Sequence, residues 1–313
     1  MSLACGIDVG GTKIAGGVVD DTGTILEELR VESPATDVQA IEAAIEQLVT
    51  ELRTRHEIAA VGVGAAGYID RTRSIVLFAP NLAWRDLDLK GDLEGRLDLP
   101  VVVENDANAA AWGEFQFGAG HDVDDLLLVT VGTGVGGGVV LDGSLYRGAF
   151  GVGAEIGHMR VVPDGIRCGC GNRGCFEMYA SGTALVREAR AAATAGSLLA
   201  ADLLERAGGD PGGISGPLIT EAARDGDAFA VEQLASLGRW LGEGIASLTA
   251  VLDPAVVVIG GGVSAADELL LDPVRQAFAG QLTGRGHRPL LEIRKARLGN
   301  RAGLIGAADL TRH

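Results

Sequence analysis

CGIDVGGTKIAGGVVDDTGTIL, residues 5–26, reads as strand, glycine turn, strand, turn, strand. DLLLVTVGTGVGGGVVLDGSLYRG, residues 125–148, reads the same way. Set 122 residues apart, the two stretches coincide at Val9 and Val131, Gly10 and Gly132, Gly16 and Gly138, Val18 and Val140, and Asp20 and Asp142. One supersecondary unit used twice points to two related lobes facing each other across a cleft. Two glycine-rich hairpins that are alike by chance are the alternative.

Working outward, Val38, Ile41, Ile45, Leu48, Val49 and Leu52 fall at helical spacing within 38–56. Residues 58–63 form a buried strand and 100–104 another, and Asn105 or Asp106 caps a helix over 107–117. The order βββαβα is an α/β pattern that differs from a plain Rossmann unit. Further helices are expected over 229–252 and 269–278, with strands over 255–259 and 290–293. A last helix, 302–310, returns to the first lobe. The expected lobes are 1–118, completed by about 300–313, and 119–299.

Composition limits the function. The 313 residues carry 48 glycines without a G-X-Y period, which excludes collagen. The formal charge of −16 leaves no basic stripe for nucleic acid. Nothing near Met1 resembles a secretion signal, and no apolar run approaches the roughly 18 residues of a membrane span. The cytoplasm is the expected compartment, so the clustered Cys168, Cys170 and Cys175 read as metal ligands sooner than as disulfides.

The first glycine loop is Asp8-Val-Gly-Gly-Thr-Lys13. Gly10 and Gly11 let backbone N–H groups approach phosphate oxygens. Thr12 adds a hydroxyl and Lys13 a charge, while Asp8 could hold Mg²⁺ through water. An ordinary hairpin with a surface lysine has the same composition. In the second loop, Thr133 and Gly134 would face the phosphates from the other lobe. Gly261 and Gly262, between a buried strand and a helix, suit close packing on adenine and ribose. Phosphate loops on both sides make ATP the expected co-substrate.

Asp106 in Glu104-Asn-Asp-Ala-Asn108 lies where a strand gives way to a helix. Helix capping alone would explain it. Beside two phosphate loops it becomes the general base that accepts a proton from a sugar hydroxyl during in-line transfer. The helix N-terminus should lower its pKa. His158 with Cys168, Cys170 and Cys175 makes a Cys₃His set, the composition of a closed structural Zn²⁺ site. A free or redox-active cysteine trio is the other reading. The second nitrogen of His158 would be left for a sugar hydroxyl. Glu155 and Glu177 flank the site and would accept hydrogen bonds from sugar hydroxyls. His56, His121, His287 and His313 read as solvated, Cys5 as core, and Trp84, Trp112 and Trp240 as packing.

Together these segments resemble the ROK family of repressors and sugar kinases, most closely its bacterial glucokinases. The likeness covers Asp8 to Asp20, Glu104 to Glu114, Val131 to Val140, Glu155 to Glu177 and Val258 to Gly262. Its most specific part is Glu-x-Gly-His followed by Cys-x-Cys-Gly-x-x-Gly-Cys-x-Glu. The resemblance implies a two-lobed actin/hexokinase-like (ribonuclease H-like) fold with an interlobe cleft. It implies ATP-dependent phosphorylation of glucose at the 6-hydroxyl, with Mg²⁺ and a structural Zn²⁺. It also implies Asp106 as catalytic base, Asn105, Glu155, His158 and Glu177 as sugar ligands, Gly67 and Asn81 in sugar-contact segments, and a homodimer or homotetramer. Ala66 departs from the proline that many members place before Gly67. Other hexoses or N-acetylhexosamines are competing substrates, and polyphosphate a competing donor. A sugar-responsive repressor or sensor is the competing class, although only seven residues precede Asp8.

Overall fold

The computed structural model describes residues 2–313. Its first unit opens with β1 (Leu3–Val9), β2 (Lys13–Val19) and β3 (Ile25–Glu32). Helix α1 (Val38–Arg53) follows, then β4 (Ile58–Ala65), β5 (Tyr68–Ile69), β6 (Val76–Phe78) and β7 (Arg85–Leu87). Helix α2 (Leu89–Leu97), strand β8 (Val101–Asn105) and helix α3 (Asp106–Phe117) come next. Strands β9 (Leu126–Val131), β10 (Val135–Leu141) and β11 (Ser144–Tyr146) repeat the opening pattern. Beyond them lie α4 (Glu177–Ala180), α5 (Gly182–Thr194), α6 (Ala201–Arg206), α7 (Gly216–Arg224) and α8 (Ala228–Leu252). Strand β12 (Val256–Gly260), helix α9 (Glu268–Gln281), strand β13 (Glu292–Lys295) and helix α10 (Ala302–Asp309) end the chain.

The duplication is visible in the sheets. One runs β3-β2-β1-β4-β8 and the other β11-β10-β9-β12-β13, so each strand has a counterpart in the same position. Strand β2 moved along by 122 residues lands on the bounds of β10. In the first sheet β1 pairs antiparallel with β2 and parallel with β4, and β4 pairs parallel with β8. This duplicated α/β order is that of the actin/hexokinase-like class. Helix α1 starts where the Asp37 side chain accepts the Ala40 N–H, and it buries Ile41, Ile45, Leu48, Val49 and Leu52 on one face. Those side chains enter one core with Ile7, Val61, Val63 and the fully buried Trp84. The sequence reading lacked α2 and the small antiparallel sheet β5-β6-β7, whose strands are only two or three residues long.

The chain divides into two compact units. The first comprises Met1–Leu128, Gly137–Ala154 and Ala296–His313, and the second Val129–Gly136 and Glu155–Lys295. The expected lobes differ from this by leaving 119–128, 137–154 and 296–299 out of the first. Two side chains account for the difference. Arg147 donates to the carbonyls of Asp70 and Arg71, at 2.9 Å each. The buried Glu114 accepts the N–H groups of Ala119, Arg297 and Leu298. Among the described residues, no helix is long and apolar enough to cross a membrane.

Candidate active site

In the first unit the site is built where β1 and β8 end. Asp8 is part-buried within β1, in register with Ala15 of β2 and Gly64 of β4. Its carboxyl is pushed up to about 6, first by burial and then by the Asp106 carboxylate, with Arg30 opposing. The loop that follows is tight. Gly10 spends its N–H on the Lys13 carbonyl at 3.0 Å, so it is not available to phosphate. Gly11, Thr12 and Lys13 are exposed. Asn81, between β6 and β7, is exposed and packs beside Gly11.

Asn105 caps α3, accepting the Asn108 N–H on its side-chain oxygen at 3.0 Å. Its side-chain amide donates to the Gly67 carbonyl and to Asp106 Oδ1, both at 3.1 Å. One residue therefore ties the loop carrying Gly67 to the carboxylate of Asp106. Burial raises the Asp106 pKa. It outweighs the N–H groups of Ala107 and Asp106 and the Asn105 amide, which act in the lowering direction. The expected lowering by the helix N-terminus is thus overturned, because loss of water is the larger effect. A raised pKa makes Asp106 a better proton acceptor than a solvated aspartate once it is ionised.

In the second unit, Gly132 and Thr133 line a cavity of about 1190 Å³ with Gly262, Val263 and the first residues of α5. The Thr183 hydroxyl donates to the Thr133 carbonyl at 2.6 Å, and the Gly182 N–H to the Gly132 carbonyl at 2.8 Å. The N-terminus of α5, a favourable place for anionic groups, thereby opens into the cavity beside the second glycine loop. Gly261 does not line the cavity. It turns the chain at φ 82°, and a Cβ there would meet the Val131 carbonyl oxygen at 2.4 Å. The helical walls, α5 and α7, fall in the stretch from Ser181 onward that the sequence reads as mostly helical without separate bounds. The Arg190 guanidinium spans from α5 to the carbonyls of Ile214 and Gly212.

Gly134 belongs elsewhere, with its Cα facing Glu177. Glu177 opens α4, and its Oε1 accepts from Cys168 Sγ at 2.9 Å and lies 3.5 Å from His158 Nδ1. The ligand atoms of His158, Cys168, Cys170 and Cys175 all lie within 4.8 Å of one another. Cys170 and Cys175 Sγ are 3.6 Å apart, and Cys168 Sγ is 3.7 Å from His158 Nδ1. A tetrahedral ion with bonds of about 2.3 Å to sulfur would space its ligands by about 3.8 Å. The four groups therefore fit a tetrahedral metal. Burial and the Glu177 hydrogen bond raise the Cys168 thiol, so a cation would displace a proton there. Glu155 is exposed and its carbonyl accepts the His158 N–H at 3.1 Å.

The remaining assignments mostly stand. Cys5 is fully buried, and burial pushes its thiol up to about 12. One histidine departs from solvation: His56 is part-buried and pairs with Glu27 at 2.9 Å, whereas His313 stays exposed while its ring meets Trp112 edge-on.

Residues 4–313 match the ROK family. The glucokinase of Streptomyces coelicolor is 51% identical over 312 residues, covering all of this chain and 98% of that protein. The crystal structure of a ROK family glucokinase from Streptomyces griseus, in complex with glucose and AMPPNP, is 52% identical. It aligns with a TM-score of 0.92 over 99% of each chain. The xylose repressor of Bacillus subtilis is 30% identical, over 97% of this chain and 76% of that protein.

Proposed function

The chain belongs to the ROK family, and from that premise we infer that it catalyses transfer of the γ-phosphoryl group of ATP to the 6-hydroxyl of glucose. The observation that carries the reading is identity of 51–52% along essentially the full length of two glucokinases, one of them holding glucose and an ATP analogue.

The residues are assigned to steps as follows. Asp106 accepts the proton of the 6-hydroxyl, and its raised pKa supports this. Asn105 orients Asp106 and offers the sugar its remaining polar edge, with Gly67 and Asn81 beside it. Asp8 holds Mg²⁺ through water, and a carboxyl at about 6 is one whose ionised form a cation would favour. Gly11, Thr12 and Lys13 offer donors to phosphate; Gly10 has the smaller part, because its N–H is used in the turn. Thr133 and Gly262 flank the nucleotide, with Gly261 shaping the turn behind them. Glu155, His158 and Glu177 contact the sugar. His158 Nδ1 faces the thiols, which leaves Nε2 for a hydroxyl. A structural Zn²⁺ on His158, Cys168, Cys170 and Cys175 would stiffen this segment, and no reaction step passes through it. Cytoplasmic ATP supplies the donor.

The test is ADP release with MgATP against glucose, mannose, fructose, N-acetylglucosamine and N-acetylmannosamine, with polyphosphate as a second donor. Strong turnover with glucose is expected. Turnover confined to another sugar would replace the substrate. Binding without turnover for every sugar and both donors would replace the enzyme with a sensor.

A further inference from the structure

We infer that Glu104 is a positioning residue for phosphoryl transfer: its buried carboxylate fixes the turn that carries Asn105 and Asp106 against the loop of residues 70–75. The inference rests on the reading of Asp106 as the base.

Glu104 is the penultimate residue of β8 and is 1% exposed. Its two oxygens face different parts of the first unit. Oε1 accepts the Asn105 N–H at 2.9 Å and the Asn108 side-chain amide at 3.2 Å. Those two donors bracket Asp106 in the first turn of α3. Oε2 accepts from Arg73 Nε at 3.1 Å and lies 2.7 Å from Arg147 Nε. Arg147 in turn donates to the carbonyls of Asp70 and Arg71. Asp70 stiffens the same loop by accepting the N–H groups of Thr72, Ser74 and Ile75. Arg73 is held at φ 59°, a left-handed conformation that side chains other than glycine rarely adopt. Its carbonyl takes the Val103 N–H at 3.1 Å.

A buried charge with two guanidinium partners is a poor device for stability alone, since well-packed apolar groups commonly do as well or better. What this carboxylate supplies is geometry. It is an acceptor on both sides, and no neutral isostere can be. A glutamine would turn its NH₂ either on the two arginines or on the Asn105 and Asn108 donors. Either way the turn under Asp106 shifts, and small misplacements of a catalytic group cost up to about 100-fold in rate. Glu104 bonds to Arg73, Asn105, Asn108 and Arg147 and to none of the residues assigned to MgATP, so MgATP binding should be less affected than turnover.

The experiment is steady-state kinetics on full-length wild type and Glu104→Gln, with circular dichroism to confirm folding. A loss in kcat of about 10- to 100-fold is expected. The KM for glucose should rise less steeply, and the KM for MgATP should stay within about twofold. A lower melting temperature with kcat and both KM values unchanged overturns the inference. If Glu104→Gln does not fold, Arg73→Lys and Arg147→Lys each disturb one partner and keep its charge. A kcat deficit in both, with MgATP KM unchanged, supports the inference, and normal kcat in both overturns it. Wild-type turnover on glucose is read in the same assay. Its absence overturns the proposed function and this inference together, whereas an active wild type with an unimpaired variant overturns the inference alone.

Discussion

Trp112 Nε1 donates to Asp309 Oδ2 at 2.9 Å, joining helices α3 and α10 across 197 residues of chain. Both residues are almost fully buried. Arg312 pairs with the other carboxylate oxygen at 2.9 Å. The two helices approach closely around this bond: a Cβ on Gly306 would stand 1.8 Å from the Ala109 carbonyl oxygen. Helix α10 packs on β1, β2 and β4 as well as on α3. The C-terminal helix thus fixes the helix that begins with Asp106.

Asp309→Ala should therefore destabilise the protein by about 1–3 kcal/mol, because it strands a buried indole donor and takes the carboxylate from a part-buried guanidinium that keeps only the Ser2 and Val19 carbonyls. Asp309→Asn keeps an acceptor for Trp112 and should lose less. Denaturant midpoints of the two variants check this. Equal and negligible losses would mean that packing alone holds α10.

This coupling explains what was legible in the sequence and what was not. The two glycine hairpins, α1 and α8 could be read because each has a local period or turn pattern. The Cys₃His group could be read because its ligands cluster in the chain. The strands of the sheet β5-β6-β7 are too short for alternation to register. The partners of Glu104 and Glu114 lie 31 and 43 residues away from Glu104 in Arg73 and Arg147, and 183 residues or more from Glu114 in Arg297 and Leu298. The Asp106 pKa went the other way because the sequence shows the helix terminus and not the burial that opposes it.

Asp8→Asn should remove activity and raise stability above pH 6. A folded-state pKa of about 6, above the ordinary carboxylate value, means that the folded protein binds the extra proton. Stability from this group is present at low pH and is lost as pH rises through about 6. At pH 7.5 the ionised Asp8 then costs about 2–3 kcal/mol, which the asparagine avoids. Thermal denaturation without Mg²⁺ at pH 5 and pH 7.5 checks the sign. A variant less stable than wild type at pH 7.5 would reverse it.

Asp106→Asn should retain glucose binding by calorimetry and lose about 10²- to 10⁴-fold in kcat, the range expected for a general base. Because burial raises the Asp106 pKa, the acid limb of kcat/KM for wild type should lie above the ordinary carboxylate range. A limb at the value of a solvated aspartate would remove the argument from burial. Near-normal turnover by the variant would remove Asp106 from the reaction.

Metal content tests the thiol cluster without reference to catalysis. The purified protein should carry about one zinc per chain by elemental analysis, because four ligands at tetrahedral spacing leave no further position. Cys170→Ser replaces the exposed thiol, so its packing cost is small and any effect reports on the ion. Loss of zinc and a lower melting temperature are expected. The KM for glucose should rise, since His158 and Glu177 both touch the cluster through Cys168. Catalysis by residues of the first unit should survive at saturating sugar. Unchanged zinc in Cys170→Ser would leave three ligands sufficient and refute the four-ligand site. Loss of zinc with glucose KM unchanged would separate the metal from the sugar residues.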